Sequence, residues 1–214
     1  MTLHLECADE LLSTTRAVRK RLDLTRPVPR DVILDCIRLS QQAPTGSNQQ
    51  TWRWLVVTDA AKRRALADLY RATAADYFPK VRDRARERGE TQTAKVYVSA
   101  QYLADHLHEA PVHVIPCLLG RPPEGPAVRV GGFFASIYPA VWSFNLALRA
   151  RGLGTALTTL HLFREAEAAK ILGIPDDVTQ AALLPVAYTI GDTFNPAKRP
   201  PPETITFFDT WDSR

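Results

Sequence analysis

With 214 residues, 45% of them hydrophobic and 23% charged, the chain falls within globular limits and is long enough to bury one sizeable core. Three widely spaced cysteines, Cys7, Cys36 and Cys117, with no CxxC pair, suggest neither a disulfide framework nor a cysteine zinc site, so a reducing cytoplasm fits best. A net charge of +4 leaves nucleic acid, an anionic lipid surface or a phosphorylated small molecule open as partners.

The opening MTLHLECADELLSTTR carries acids where an export signal carries a basic region, and it lacks a long apolar stretch, so export is not expected. A short helix is expected over Asp9 to Ala17. The arginine-rich stretch Arg16 to Arg21 then leads into Pro27 and Pro29, which forbid helix continuation. A second helix is signalled from Asp31, with Val32, Ile33, Cys36, Ile37 and Leu39 or Ser40 giving an apolar face, and it ends at Ala43-Pro44. Thr45-Gly46-Ser47-Asn48 forms a turn ahead of Trp52 to Thr58, whose aromatic and β-branched content predicts a strand.

Ala60 to Gly89 and Thr91 to Glu109 are two charged, mostly helical stretches, with a break expected at Asp76-Tyr77-Phe78-Pro79. Val112 to Leu119 fits a buried strand, and a Gly-Pro-rich stretch, 120–126, follows it. Gly131 to Leu148 holds no charged residue and is about as long as a membrane span. Ser136, Pro139, Ser143 and Asn145 interrupt it, arginines flank it at 129, 149 and 151, and no second such segment exists. A buried core or interface helix over 131–150 is therefore favoured over a span.

Gly152-Leu-Gly154, a strand over Thr155 to Leu160, a helix over Arg164 to Leu172 and a strand over Ala181 to Ile190 complete the body. The closing segment 192–214 holds Pro196, Pro200, Pro201 and Pro202 before the β-prone Thr204 to Phe208, and is expected to be an extended arm able to reach a second subunit. No repeat is visible. One domain over 1–214, with that arm, is the expectation.

Familiar nucleotide motifs fail: Gly152-Leu-Gly154-Thr-Ala-Leu157 lacks the third glycine of a dinucleotide fingerprint, and no phosphate-binding GxxxxGK[ST] exists. His106 and His108 lie two apart on a helix and so point to different faces, and His4, His113 and His161 are scattered, so no metal site is expected. No helix-turn-helix or zinc signature appears, and the arginines are not interleaved with aromatics, which speaks against a nucleic-acid module.

Two features carry chemistry. Arg16 and Arg19, three apart at a helix end, each offer a planar fork suited to phosphate oxygens or a ring carbonyl, although such a cluster is also an ordinary basic surface. In Ala43 to Trp52, Asn48 and Gln50 place two amides beside a tight turn. Amides both donate and accept, and so can match a flavin's pyrimidine edge without adding charge, although a plain turn would look alike.

Together these residues resemble the FMN-dependent nitroreductase family. Its pattern runs from an arginine-serine-x-arginine motif, here Arg16-Ala-Val-Arg19, through a proline-serine-x-x-asparagine-x-glutamine-proline-tryptophan loop, here Pro44 to Trp52, to a C-terminal basic phosphate contact, here Arg199. Leu146-Ala-Leu148 through Gly152-Leu-Gly154-Thr, Leu172-Gly-Ile-Pro175, and Ile190-Gly191 followed by Lys198-Arg199-Pro200 come in the order that the family shows, across nearly the whole chain. Ala17 stands where serine is usual, Thr51 where proline is usual, and Thr45 is a mild change from serine.

The resemblance implies an α/β (α+β) fold with a central, mostly antiparallel sheet wrapped by helices. It also implies an intertwined homodimer with two FMN sites at the subunit interface. Carried over residue by residue, Arg16, Ala17 and Arg19 would hold the phosphate and pyrimidine end. Pro44, Thr45, Asn48 and Gln50 would line the ring, often from the other subunit, and Arg199 would bind phosphate. Thr158 and Thr159 would add backbone contacts, with Gly191 beside them.

In such enzymes the flavin takes hydride from NAD(P)H at N5 and passes electrons to an electron-poor acceptor, such as a nitroaromatic or quinone, by a ping-pong course with no side-chain nucleophile. Dehalogenation, flavin fragmentation and a flavin-holding storage or sensor role stay open. Tyr70, Tyr77, Phe78, Tyr97, Tyr102, Phe133 and Phe134 read first as core and are kept out of the site.

Overall fold

A computed structural model of the chain describes residues 4–211. Its contacts cluster into two units, Met1–Thr15 with Thr193–Arg214, and Arg16–Asp192. The first unit contains helix α1 (Leu5–Thr14) and a C-terminal arm that carries a single 3-10 turn at Pro202–Thr204. Thr204 to Phe208 forms no strand here. Ile205, Phe208 and Trp211 stay exposed, and Phe207 instead lies against Trp211 with ring centroids 4.8 Å apart.

The larger unit is built on one antiparallel sheet. Strands β1 (Trp52–Val57), β2 (Val112–Leu119), β3 (Leu153–Thr155) and β5 (Leu184–Tyr188) run in the order β1-β2-β5-β3, and β4 (Val178–Gln180) pairs with β2 beyond β5. Pro116 sits in the middle of β2, which a paired strand does not normally tolerate because proline has no N–H for the ladder. The register explains it: β2 pairs with β5 up to Val114 and with β4 only from Cys117, so Pro116 falls where one partner gives way to the other.

Helices α2 (Arg30–Ser40) and α6 (Tyr138–Arg149) pack together beside the sheet, and helices α3 (Ala60–Glu87) and α4 (Thr91–His106) pair with each other. In α2, Ile33, Cys36 and Ser40 recur at helical spacing and are buried. In α6, Ala140, Val141, Phe144, Asn145, Ala147 and Leu148 form the buried face, with Phe144 5.2 Å from Trp54 of β1. The core is completed by β2, which is buried from Val112 through Leu118.

Four expectations need correction. The break at Pro79 is absent, and α3 runs unbroken past it. Proline removes one backbone bond, but Tyr70, Ala74, Phe78 and Ala85 are buried along one face, and that packing holds the helix together across the gap. The uncharged stretch 131–150 is not one helix but two, α5 (Ala127–Ala135) and α6. Pro139 has no N–H to give the carbonyl of Ala135, and Ser136 Oγ turns back to donate to Gly132 O at 3.0 Å.

α5 has no fully buried residue, although Phe133 and Phe134 pack against the core, whereas α6 supplies its buried face. Among the described residues no helix is long and apolar enough to cross a membrane. The strand expected at 155–160 occupies Leu153–Thr155 and gives way to a 3-10 turn at Leu160–Arg164. The one expected at 181–190 is shorter, and β4 precedes it.

Candidate active site

The chain leaves α1 extended at Thr15 and lays residues 16–22 along the ends of β3 and β5. Val18 N donates to Thr155 O at 2.8 Å, Ile190 N donates to Arg21 O at 2.8 Å, and Arg21 Nε returns a bond to Ile190 O at 2.8 Å. Gly154 makes this approach possible. A Cβ there would stand 3.0 Å from Val18 and 2.8 Å from Thr189 Cγ2. Gly191, at φ +74°, lies against Arg21 in the same strip.

Arg16 and Ala17 are exposed, whereas Arg19 turns inward. Arg19 Nη1 donates to Ser99 Oγ at 3.3 Å. Burial lowers the Arg19 pKa and the neighbouring Tyr70 works in the opposite sense. A guanidinium stays charged through such a shift, so Arg19 is a partly desolvated, fixed cation.

Arg19 lines a cavity of about 220 Å³ together with Thr158 and Thr159 and an aromatic shell of Tyr70, Tyr77, Phe78 and Tyr97. The backbone of Thr158 is held by reciprocal bonds with Leu183, 3.1 Å from Thr158 N and 2.8 Å to Thr158 O. Its hydroxyl lies 3.0 Å from the Tyr70 hydroxyl. These aromatics, first read as core, are cavity wall as well. The legible signal was Tyr70, Tyr77 and Phe78 at i, i+7 and i+8, one stripe on a charge-rich helix.

The Pro44–Gln50 loop has a different anchor. Gly46 N donates to Ser136 Oγ at 3.1 Å, which ties the loop to the end of α5. Ser47, Asn48 and Gln50 all have φ near +50°, a costly backbone for residues with side chains, and such outliers gather at ligand clamps. Gln50 Nε2 donates to Asn48 Oδ1 at 3.0 Å, and Gln50 N donates to Thr45 Oγ1 at 3.3 Å, so the two amides are held as an exposed pair. Pro44 is exposed at the start of the loop and Thr45 half-buried behind it.

The structure thus gathers Arg19, Thr158 and Thr159 around one cavity, with Arg16, Ala17 and Gly191 on the adjoining strip. It places Pro44, Thr45, Asn48 and Gln50 on a loop anchored to the end of α5 through Ser136. Arg199 is exposed on the arm, in the other unit, and donates to Lys198 O at 3.2 Å. Among the described residues no group of three or more His, Cys, Asp and Glu is placed to hold a metal.

The donor set fits FMN: the half-buried Arg19 guanidinium for a phosphate or a reduced ring's charge, neutral amides for a pyrimidine edge, and flat aromatic walls.

A family model described as the nitroreductase family matches residues 12–188. An iodotyrosine deiodinase of Thermotoga neapolitana is 27% identical over 200 residues, covering 94% of this chain and 97% of that protein. Among solved structures, an oxidised iodotyrosine deiodinase bound to FMN and 3-iodo-L-tyrosine superposes with a TM-score of 0.70 at 23% identity, covering 94% of this chain and 98% of that one. The FMN and NADPH-dependent nitroreductase NfnB of Sphigopyxis sp. strain HMH gives 0.68 at 21% identity, with 95% and 99% covered. A nitroreductase-like family protein from Bacillus cereus gives 0.67 at 16%, with 98% and 100% covered.

Proposed function

The chain belongs to the nitroreductase family, and on that premise we propose that it is an FMN-dependent oxidoreductase which takes hydride from NAD(P)H and reduces nitroaromatic, quinone or similar electron-poor acceptors. The observation that carries the reading is the half-buried Arg19 cation sharing one small aromatic-walled cavity with Thr158 and Thr159. FMN, when bound, would supply the redox chemistry, passing the two electrons and the proton of a hydride from nicotinamide to acceptor.

The chain's part is to bind and orient. Arg16 and Arg19 would supply charge-assisted bonds of about 1.5–3 kcal/mol each to phosphate or to charge on the reduced ring, and Arg199 is carried over as a phosphate contact from the family pattern alone. The Asn48 and Gln50 amides and the backbone of the Pro44–Gln50 loop meet the ring edge. Ala17, Thr158, Thr159 and Gly191 complete the cradle. Tyr77, Phe78 and Tyr97 exclude water from the reacting face.

A homodimer belongs to this proposal. α5 carries Val128 at 77% exposure and no buried residue, and the Pro44–Gln50 loop rests on its end. A second copy covering α5 would bury this exposed apolar face. The proposed setting is the cytoplasm, with a small-molecule acceptor and neither nucleic acid nor membrane as partner.

The identity to a deiodinase over almost the whole chain favours a second reading of the same site, reductive dehalogenation. There an aryl halide takes up two electrons and a proton and releases halide. An anaerobic absorption spectrum tests both. Yellow protein bleached by NADPH or NADH, then re-oxidised by a nitroaromatic or quinone, supports the first reading, and re-oxidation by a halophenol with halide release supports the second. Bound flavin that neither nicotinamide bleaches would indicate a storage or sensor protein. A colourless protein that takes up no FMN would overturn the flavin reading altogether.

A further inference from the structure

Tyr70 does more than pack. Its side chain is 2% exposed on the inner face of α3, with the Phe78 ring edge-on at 6.4 Å. A phenol buried this deeply is destabilising if its hydroxyl is left without a partner. The partner it has is Thr158 Oγ1, at 3.0 Å and 88 residues away in sequence.

We infer that Tyr70 is a positioning residue, which holds the Thr158 hydroxyl in one orientation so that its proton is offered into the cavity beside Arg19. The inference rests on the flavoprotein reading above. Reciprocal backbone bonds to Leu183 fix the Thr158 main chain, so the hydroxyl rotor is the freedom left for Tyr70 to restrict. Both groups can donate and accept, and the phenol is the stronger acid, so Tyr70 donates and Thr158 accepts. That leaves the threonine's own proton for a ligand acceptor. Burial raises the Tyr70 pKa, which keeps the phenol in its donating form at neutral pH.

A threonine held in this way gives a directed donor at no reorganisation cost when the ligand arrives. A free rotor would present a donor and a lone pair in turn. Tyr70 thereby links the long helix α3 to the segment that carries Thr158 and Thr159.

The test is a double-mutant cycle on FMN affinity, read by quenching of flavin fluorescence, with the thermal midpoint of the flavin-free protein followed in parallel. Tyr70→Phe keeps the ring and removes only the hydroxyl, and Thr158→Ala removes the group it directs. Each should raise the FMN dissociation constant by about fivefold, the equivalent of one neutral hydrogen bond of about 1 kcal/mol. The double variant should lose no more than Thr158→Ala alone, and Thr158→Ser should restore dependence on Tyr70.

Additive losses in the double variant, or a Tyr70→Phe protein that melts lower yet binds FMN as tightly as the wild type, would overturn the inference alone. Wild-type protein that takes up no FMN would overturn the flavoprotein reading and this inference with it.

Discussion

Val18 lies directly over Gly154: its N–H is bonded to the next residue's carbonyl, Thr155 O, at 2.8 Å, and a single added carbon on Gly154 would come within 3.0 Å of it. Arg16 and Arg19 flank Val18 in the chain, so this contact sets how both guanidinium groups are presented. Gly154→Ala should force the strip 16–22 away from β3 and cost about 1–3 kcal/mol through overpacking. Urea denaturation and FMN titration of the variant should show lower stability and weaker binding together. Unchanged FMN affinity would separate the strip from the cofactor.

Arg19 differs from Arg16 in being half-buried and bonded to Ser99. Arg19→Lys keeps the charge and loses the planar fork, so FMN affinity should fall by roughly tenfold or more, the equivalent of a charged hydrogen bond worth about 1.5–3 kcal/mol. Arg19→Met should fall further, and fluorescence titration at two salt concentrations would read both.

Ser136 holds the Gly46 N–H while giving its own proton to Gly132 O. Ser136→Ala should loosen the Pro44–Gln50 loop at a cost of about 0.5–1.5 kcal/mol, because an exposed N–H can be re-solvated. FMN binding should weaken by a few fold, with little change in the circular dichroism of the protein. A loop that contributes nothing to the cofactor would leave binding untouched.

His113 and His161 are fully buried, and burial pushes the pKa of each down to about 4. His113 Nε2 donates to Leu107 O at 2.8 Å. In the unfolded chain both rings would titrate near the ordinary value of about 6.5. The unfolded state therefore binds more protons between these values. The stability is full above about pH 6.5 and is lost as pH falls toward about 4. Thermal midpoints measured from pH 7 to pH 4 should fall steadily, and His161→Leu should flatten the slope. A flat profile in the wild type would contradict the neutral assignment.

Much of the candidate site was legible because its chemistry is local. The arginine pair three apart and the amides two apart are readable as strings, but their backbone was not: the helix expected over Asp9 to Ala17 spans Leu5–Thr14 and ends before Arg16, and Ser47, Asn48 and Gln50 take a positive φ. Nor was the aromatic wall. Tyr70, Tyr77 and Phe78 on α3 carry the same stripe whether they face a core or a cavity, and only their arrangement with Tyr97 of α4 and the turn after β3 distinguishes the two. The Tyr70 and Thr158 pairing joins residues 88 apart and leaves no trace in any window of sequence.

The sequence by itself determined β1 and β2, because strand patterning and turn chemistry act over a few residues, and its motifs carried the resemblance that implied the class of fold. Tertiary structure decided where helices stop. Pro79 is carried through α3 by the packing of Tyr70, Ala74 and Phe78, whereas Pro139 ends α5 because Ser136 and Gly132 close the turn before it and α6 turns its own face to the core. The same residue type thus gives opposite outcomes. One missing hydrogen bond costs a few kcal/mol, and the neighbours packed on either side determine whether that cost is met.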